Sequence, residues 1–387
     1  MKIIIIGPAH PLRGGLATYD HRLAKEFIRA GHDCSIYSFS LQYPNFLFPG
    51  KTQFTTEPPP EGITIHTVIN SVKPGNWIKV GKQLRDERPD AIIVRYWLPF
   101  MAPSLGTILR KVKKNKHTRI ICIADNVIPH ERRPGDKLLT RYFVKPCDAF
   151  VTMSEKVFDD LKRIEKKKLV RLIPHPIYDN FGDLVPKMEA RRKLGVPEEG
   201  RIILFFGFIR KYKGLDMLLQ AMKVLKDRSN QPGSTISIPK LIIAGEFYED
   251  EKKYRDLIEK LDISDQLILR TDFIPDSEVK YYICAADAVI QPYRNATQSG
   301  VTPLCYHFEK PMVVTNVGGL PTLVANNEAG VVVEPDPTAL ADGILRFYQL
   351  GENYFIPHLR IEKHKYSWAG LVKTITTMIY QRTVTLD

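Results

Sequence analysis

The stretch Phe205-Phe206-Gly207-Phe208-Ile209-Arg210-Lys211-Tyr212-Lys213-Gly214-Leu215-Asp216 joins the end of an apolar run to the start of a helical pattern. The run Ile202–Phe206 is continuously apolar, which is typical of a strand buried on both faces of a parallel sheet. Gly207 and Gly214 permit tight turns on either side of the cations. Because ligands of such sheets bind beyond the carboxyl ends of strands, we expect Arg210 and Lys213 to face an anion. The plainer alternative is a solvated basic turn.

The same alternation of strand-like and helix-like patterns runs through both halves of the chain. The predicted strands of the first half are Ile3–Ile6, Cys34–Phe39, Ile63–Val68, Ala91–Val94, Ile120–Ala124 and Ala149–Thr152. Those of the second half are Ile202–Phe206, Leu241–Ala244, Gln266–Leu269, Ala288–Gln291, Met312–Thr315 and Val331–Glu334. Apolar strands joined by helices predict an α/β fold of two Rossmann-like, doubly wound parallel-sheet domains that face a cleft.

The predicted domains are residues 1–187 and 188–355, followed by C-terminal helices in 356–387 that cross back to the first domain. The stretch Pro174–Lys187 has little periodicity and contains further prolines, so it is the predicted linker.

The charge of the chain is distributed unevenly. The 387 residues carry a net charge of +13; residues 1–187 hold 31 basic and 18 acidic side chains, and residues 188–387 hold 25 of each. An excess confined to one half predicts an anionic partner for that half. An anionic membrane surface fits best, because we find no nucleic-acid-binding motif. The basic side chains concerned are Arg110, Lys111, Lys113, Lys114, Lys116, Lys156, Lys162, Arg163, Lys166, Lys167 and Lys168, with an apolar loop at Phe46-Leu47-Phe48.

Cysteine usage and apolar run lengths bear on location. The five cysteines are scattered without metal-ligand spacing, which indicates a reducing compartment. No apolar run approaches the ~18–20 residues of a membrane span. We therefore expect a cytoplasmic protein, peripheral at the inner face of the membrane.

Three further loops carry glycine or small polar residues after predicted strands. Gly14 and Gly15 lie between the first strand and the first helix, where backbone N–H groups can approach a phosphate. Residues Ser299, Gly300, Val301 and Thr302 precede a helix-like run and can offer amides in the same way. The third loop is Val317-Gly318-Gly319-Leu320-Pro321. Each of these on its own is also compatible with an ordinary loop.

Taken in order, these segments resemble the retaining nucleotide-sugar glycosyltransferases of family four, which have the GT-B fold. The resemblance covers nearly the whole chain and includes Lys213-Gly214, Pro303, Lys310-Pro311 and Gly318-Gly319-Leu320-Pro321. It implies a nucleoside diphosphate sugar as the donor substrate, with no separate cofactor. It also implies that Gly14, Gly15, Gly207 and residues 298–302 bind this donor.

The chain departs from the family pattern at three positions. The family has two glutamates with seven residues between them, one for donor-sugar hydroxyls and one for the ribose, whereas Pro303 aligns them with Gln298 and Tyr306. Gln298 can still accept a hydrogen bond but carries no charge. Glu309 is the nearest carboxylate that could replace the second glutamate. The family arginine that follows Gly207 is Phe208 here, and Arg210 is the nearest replacement.

The first domain of such enzymes places a histidine near the reacting sugar, after a central strand. Asp125 takes the equivalent position here and His130 follows five residues later. The alternatives are that Asp125 caps the next turn and that His130 is an ordinary loop residue.

These observations predict a metal-independent, retaining hexosyltransferase acting on a glycan or lipid-linked acceptor in cell-surface polysaccharide or glycolipid synthesis. Arg210, Lys213, His130 and Asp125 are its predicted catalytic residues. Two alternatives remain open: a nucleotide-sugar-binding subunit that has lost catalysis, because the glutamate pair is missing, and a GT-B sugar epimerase.

Overall fold

The computed structural model describes residues 1–44, 52–128, 134–296, 299–324 and 328–381. It divides into unit 1, Met1–Pro176 with Ser367–Asp387, and unit 2, Ile177–Tyr366. The chain enters unit 2 earlier than the predicted boundary at 187/188. The reason is that the Ile177 amide already donates a hydrogen bond to the Tyr366 carbonyl, at 3.0 Å.

Unit 1 is built on a seven-stranded parallel sheet in the order β3-β2-β1-β4-β5-β6-β7. Its strands are β1 Lys2–Ile6, β2 Asp33–Leu41, β3 Thr64–Asn70, β4 Ala91–Tyr96, β5 Arg119–Ala124, β6 Ala149–Thr152 and β7 Leu169–Leu172. Its helices are α1 Gly15–Arg29, α2 Pro74–Glu87, α3 Ala102–Val112, α4 Asp136–Val144, α5 Glu155–Ile164 and, at the end of the chain, α14 Trp368–Tyr380. The central strands are fully buried, as their continuous apolar sequences predict.

Unit 2 repeats this plan with a six-stranded parallel sheet in the order β10-β9-β8-β11-β12-β13. Its strands are β8 Ile202–Phe206, β9 Lys240–Ala244, β10 Leu267–Arg270, β11 Ala288–Gln291, β12 Met312–Thr315 and β13 Gly330–Val333. Its helices are α6 Lys187–Leu194, α7 Leu215–Ser229, α8 Lys252–Leu261, α9 Val279–Ala285, α10 Val301–His307, α11 Leu320–Leu323, α12 Pro337–Leu350 and α13 Glu352–Glu362. The predicted α/β fold of two doubly wound sheets is confirmed.

The strand order reverses direction between β1 and β4 in unit 1 and between β8 and β11 in unit 2. In open α/β sheets, the loops at the carboxyl ends of the strands on either side of such a reversal form the binding crevice. The loops that follow β1, β4, β8 and β11 are therefore where functional side chains are expected.

The last helix packs in unit 1. The Trp368 ring lies 4.8 Å from the Tyr19 ring of α1, and the Arg22 guanidinium lies 5.1 Å from the Trp368 ring centre. The Ser367 side chain caps the helix by accepting a hydrogen bond from the Gly370 amide.

Candidate functional site

The loops at the carboxyl edge of the unit 2 sheet are held together by close backbone contacts. Gly214 has φ +67°, and a Cβ there would lie 1.9 Å from the Pro292 carbonyl oxygen. Gly318 has φ +54°, and a Cβ there would lie 1.7 Å from the Ala296 carbonyl oxygen. Only glycine fits at either position. The two glycines therefore join the loops after β8 and β12 to the loop after β11.

Lys213 is the unusual group in this arrangement. Its side chain is only 9% exposed, and Nζ lies 2.9 Å from where a Cβ on Gly207 would be. Among the residues that the structure describes, no carboxylate or other hydrogen-bond acceptor contacts Nζ. Burial, reinforced by the positive charge of Arg210, lowers the pKa of Lys213 to about 7. The site therefore lacks the negative charge that a buried ammonium requires.

Arg210 stands beside Lys213 on an aromatic surface. Its guanidinium carbon lies 4.9 Å from the Tyr248 ring centre. Phe208, the residue in place of the family arginine, stacks on Tyr248 at 4.2 Å and lies 6.4 Å from Phe273. Phe208 thus supplies an aromatic ring to a cluster that rests against Arg210. Sequence reasoning missed Tyr248 and Phe273, although both follow predicted strands.

The turn that begins α10 is fixed by side-chain hydrogen bonds. The Ser299 hydroxyl accepts from the amides of Val301 and Thr302, at 3.2 and 3.4 Å. It donates to Gln291 Oε1 at 2.6 Å, and the Thr302 hydroxyl donates to the same oxygen at 3.1 Å. Ser299 to Thr302 therefore form one ordered turn at the carboxyl end of β11. That this turn binds the donor stays a prediction. Gln298 lies outside the described residues.

The positions near the family's second glutamate make structural contacts. Tyr306 is buried, and its hydroxyl donates to the Leu323 carbonyl at 2.6 Å. The Glu309 carboxylate accepts from Arg360 at 2.7 Å and from Lys363 at 2.6 Å. Although burial raises the pKa of Glu309, these two hydrogen bonds leave it below its ordinary value. Glu309 thus has two cationic partners on and beside α13.

In unit 1, Gly14 has φ +102° and immediately precedes α1, which begins at Gly15. No side chain in the described part of the chain caps this helix end. The Gly14 carbonyl accepts from the Thr18 amide at 3.1 Å. Gly14 and Gly15 therefore lie at the N-terminus of a helix of 15 residues. That they bind an anion stays a prediction.

Asp125 belongs to a buried charged cluster that the sequence did not predict. Arg95, near the end of β4 and 1% exposed, donates to both Asp125 carboxylate oxygens at 2.9 and 2.6 Å. Asp20 of α1 is fully buried, and its carboxylate lies 3.7 Å from the Arg95 guanidinium without a hydrogen bond. Burial raises the pKa of Asp20 well above its ordinary value, against the opposing effect of Arg95. Burial also raises the pKa of Asp125.

This cluster lies at the strand-order reversal of unit 1. Gly7, which follows β1, leaves room for Asp20, because a Cβ there would lie 2.1 Å from the carboxylate. Asp125 is thus tied to Arg95, while His130 lies outside the described residues. The sequence feature that could have indicated this cluster is Arg95, an arginine inside the otherwise apolar strand Ala91–Tyr96.

Residues 1–44, 52–128, 134–296, 299–324 and 328–381 contain no cluster of three His, Cys, Asp or Glu side chains arranged to hold a metal ion. They also contain no helix with the length and apolar content to cross a membrane.

Comparison with known proteins agrees with this architecture. Residues 13–181 match the family model described as Glycosyltransferase Family 4, and residues 186–357 match Glycosyl transferases group 1. A D-inositol 3-phosphate glycosyltransferase of Corynebacterium urealyticum is 30% identical over 305 residues, which cover 75% of this chain and 70% of that protein.

Solved structures share the fold at low sequence identity. A sucrose-phosphate synthase from Thermosynechococcus elongatus superposes with a TM-score of 0.72 at 18% identity, over 98% of each chain. The Anabaena protein HepE, solved with UDP and glucose, superposes with a TM-score of 0.72 at 14% identity, over 98% of this chain and 99% of that one.

Two doubly wound parallel-sheet units with these neighbours define a GT-B fold. The chain belongs to the glycosyltransferases, with a Family 4 first half and a group 1 second half.

Proposed function

We propose that the protein transfers a sugar, with retention of configuration, from a nucleoside diphosphate sugar to a glycan or lipid-linked acceptor in cell-surface polysaccharide or glycolipid synthesis. Unit 2 would bind the nucleotide and unit 1 the acceptor. The observation that carries this proposal is the buried Lys213 ammonium, which contacts no carboxylate among the described residues and lies beside Arg210.

A diphosphate supplies what Lys213 lacks. A buried ammonium is unfavourable unless it is paired, and phosphate oxygens pair with both a lysine point charge and an arginine fork. When the sugar departs, negative charge grows on the diphosphate, so two preorganised cations stabilise the transition state more than the ground state. We assign this role to Lys213 and Arg210, without a divalent ion. The UDP and glucose in the HepE structure support a nucleotide-sugar donor.

Retention rests on the family resemblance. The bond between the anomeric carbon and the diphosphate oxygen breaks, the acceptor oxygen bonds to that carbon on the same face, and the hydroxyl proton passes to the departing diphosphate. Asp125 and His130 remain candidates for contact with the reacting sugar. The Arg95 ion pair would hold the Asp125 carboxylate in a fixed orientation.

A donor screen tests the proposal. The purified chain is incubated with UDP-, GDP- and ADP-sugars, with and without membrane extract as acceptor, and nucleoside diphosphate release is measured. Acceptor-dependent release is the expected result. Binding without release would instead support a non-catalytic subunit, and product formation without any acceptor would support an epimerase.

We also propose that unit 1 docks on an anionic membrane from the cytoplasmic side. The exposed side of α4 carries Lys137, Leu138, Arg141, Tyr142 and Lys145, and Leu138 is 73% exposed. Residues spaced four apart share a helix face, so Lys137, Arg141 and Lys145 form a basic row beside Leu138. The Tyr142 ring instead packs on the Arg110 guanidinium at 3.6 Å. Such a face can insert Leu138 while its cations meet acidic headgroups, each cation contributing about 1 kcal/mol. The Phe46-Leu47-Phe48 loop lies outside the described residues.

One lysine of the predicted basic patch near α3 has a partner within the protein and is a weaker candidate for membrane contact. Lys113 pairs with Asp148 at 2.9 Å, which leaves Lys111, Lys114 and Lys116 as the better candidates.

Vesicle sedimentation tests the docking. Replacing these three lysines with glutamine, or Leu138 with aspartate, should reduce pelleting on vesicles rich in acidic lipid. A Lys252→Gln control in unit 2 should not reduce it. Equal pelleting on neutral and acidic vesicles would contradict the proposal.

A further inference from the structure

Gln291 is a buried amide at the strand-order reversal of unit 2. It is the last residue of β11, follows three apolar residues, and is 1% exposed. β11 pairs with β8, the strand that leads to the Lys213 turn. Gln291 therefore lies at the base of the loops that carry the proposed donor site.

The hydrogen bonds of Gln291 orient its amide. Ser299 Oγ already accepts from two backbone amides, so its own proton must be donated, and Gln291 Oε1 lies 2.6 Å away to receive it. The Thr302 hydroxyl donates to the same oxygen. Both hydroxyls that shape the Ser299–Thr302 turn thus depend on one carbonyl oxygen.

The other end of the amide, Nε2, is buried and has no hydrogen-bond partner among the residues that the structure describes. A buried N–H without an acceptor destabilises the folded protein. A glutamate would accept the same two hydroxyl protons without leaving a donor unpaired. What a glutamate would add is negative charge.

That charge would be linked to the proposed diphosphate site through Ser299 and Tyr293. The Tyr293 ring centre is 5.8 Å from Lys213 Nζ, and the Tyr293 hydroxyl is 3.5 Å from Ser299 Oγ. One aromatic side chain therefore connects the lysine to the turn that Gln291 supports. Because a charge in a buried setting is only weakly screened, a carboxylate at position 291 would repel an anion bound beside Lys213.

We propose that Gln291 is a positioning residue for donor binding: Oε1 fixes the Ser299–Thr302 turn, and the neutral amide keeps negative charge away from the donor diphosphate. This inference rests on the proposed function, since it assumes that the site holds a nucleoside diphosphate.

Two substitutions separate the two roles. Gln291→Glu keeps the acceptor oxygen and introduces a titratable charge, whose pKa burial raises into the working range. Donor KM relative to wild type should be near normal at pH 5.5 and about tenfold higher at pH 8. Gln291→Met removes the acceptor, so kcat should fall about 10–100-fold at every pH, with a smaller change in KM.

The matched control is Gln266, a second buried glutamine with an unpartnered side-chain atom, which precedes β10. Gln266→Glu should leave the pH dependence of KM unchanged. Thermal unfolding checks that each variant folds. If Gln291→Met does not fold, Ser299→Ala is used instead. It removes one of the two hydroxyls that donate to Gln291 Oε1 and should also lower kcat.

The outcomes are distinguishable from failure of the proposed function. If wild type neither binds nor releases a nucleoside diphosphate, the proposed function fails. If wild type is active and Gln291→Glu has the same donor KM as wild type at every pH, the charge role of Gln291 is wrong. If Gln291→Met, or Ser299→Ala in its place, keeps wild-type kcat, the positioning role is wrong.

Discussion

Two lysines of unit 2 are buried to a similar degree, at opposite ends of the same sheet. Lys310 precedes β12 at the amino edge, is 5% exposed, and donates to Glu352 at 2.7 Å and to the Ala286 carbonyl. Lys213 follows β8 at the carboxyl edge, is 9% exposed, and contacts no acceptor among the described residues. One ammonium is paired within the protein, and we propose that the other pairs with the donor diphosphate.

The amino edge is neutralised throughout. Lys187 and Arg191 contact Asp287 at 2.7 and 3.1 Å, and Lys187 also contacts Glu352. Although burial lowers the pKa of Lys187, these carboxylates leave it above its ordinary value. At the carboxyl edge, burial and Arg210 lower the pKa of Lys213 to about 7. We therefore propose that the amino-edge charges stabilise the fold and the carboxyl-edge charges bind the substrate.

The largest expected effect is on Lys213. Lys213→Met keeps the apolar stem and removes the ammonium, so turnover should fall roughly 10²–10³-fold. Stability should stay the same or rise by about 0.5–2 kcal/mol, because an unpaired buried cation is removed. Donor turnover and thermal unfolding measure the two quantities. The control is Lys211→Met, at an exposed lysine in the same turn. An equal loss of turnover in that variant would show that the total charge of the turn, and not the buried position of Lys213, determines turnover.

Lys310→Met should have the reverse profile. Removing this ammonium leaves the Ala286 carbonyl and part of Glu352 without their donor, so unfolding free energy should fall by about 1–3 kcal/mol. Turnover of the folded fraction should stay close to wild type. Denaturant titration with parallel activity assays measures both. A Lys310 variant with unchanged stability and strongly reduced turnover would break the proposed distinction between the two edges.

Asp20 extends the comparison of buried charges to unit 1, where a smaller effect on stability is expected. Burial raises its pKa in the folded state, so the folded protein binds the proton more tightly than the unfolded chain. Asp20 therefore destabilises the fold progressively as pH rises above the pKa of about 3.9 that this side chain has in the unfolded chain. Asp20→Asn should be more stable than wild type at pH 8, with a smaller difference at pH 5. A difference that does not change with pH would contradict a buried, titrating Asp20.

The sequence predicted the fold better than the details of the site. Continuous apolar strands such as Ile3–Ile6, alternating with helical patterns, are typical of a parallel sheet covered on both faces, so the architecture follows from local pattern. β7 was missed because only Val170 in Leu169–Leu172 is buried, which leaves no continuous apolar signal. Lys213 could be singled out because glycine turns flank it.

The partners of a charged group were not readable from the sequence. Arg95 and Asp125 are 30 residues apart along the chain, and Lys310 and Glu352 are 42 apart. Their pairing depends on how the strands and helices pack. Sequence spacing therefore showed that cations were present but could not show which of them would lack a counter-charge.

Proton uptake on nucleotide binding tests the central claim most directly. Calorimetric titration at pH 8, in buffers of different ionisation enthalpy, uses whichever of UDP, GDP and ADP binds most tightly. With a pKa of about 7, Lys213 is mostly neutral in the free protein at pH 8, and a bound diphosphate restores its charge. The account predicts uptake of about 0.9 proton per site by wild type and none by Lys213→Met. Binding without proton uptake by wild type, or equal uptake by Lys213→Met, would contradict it.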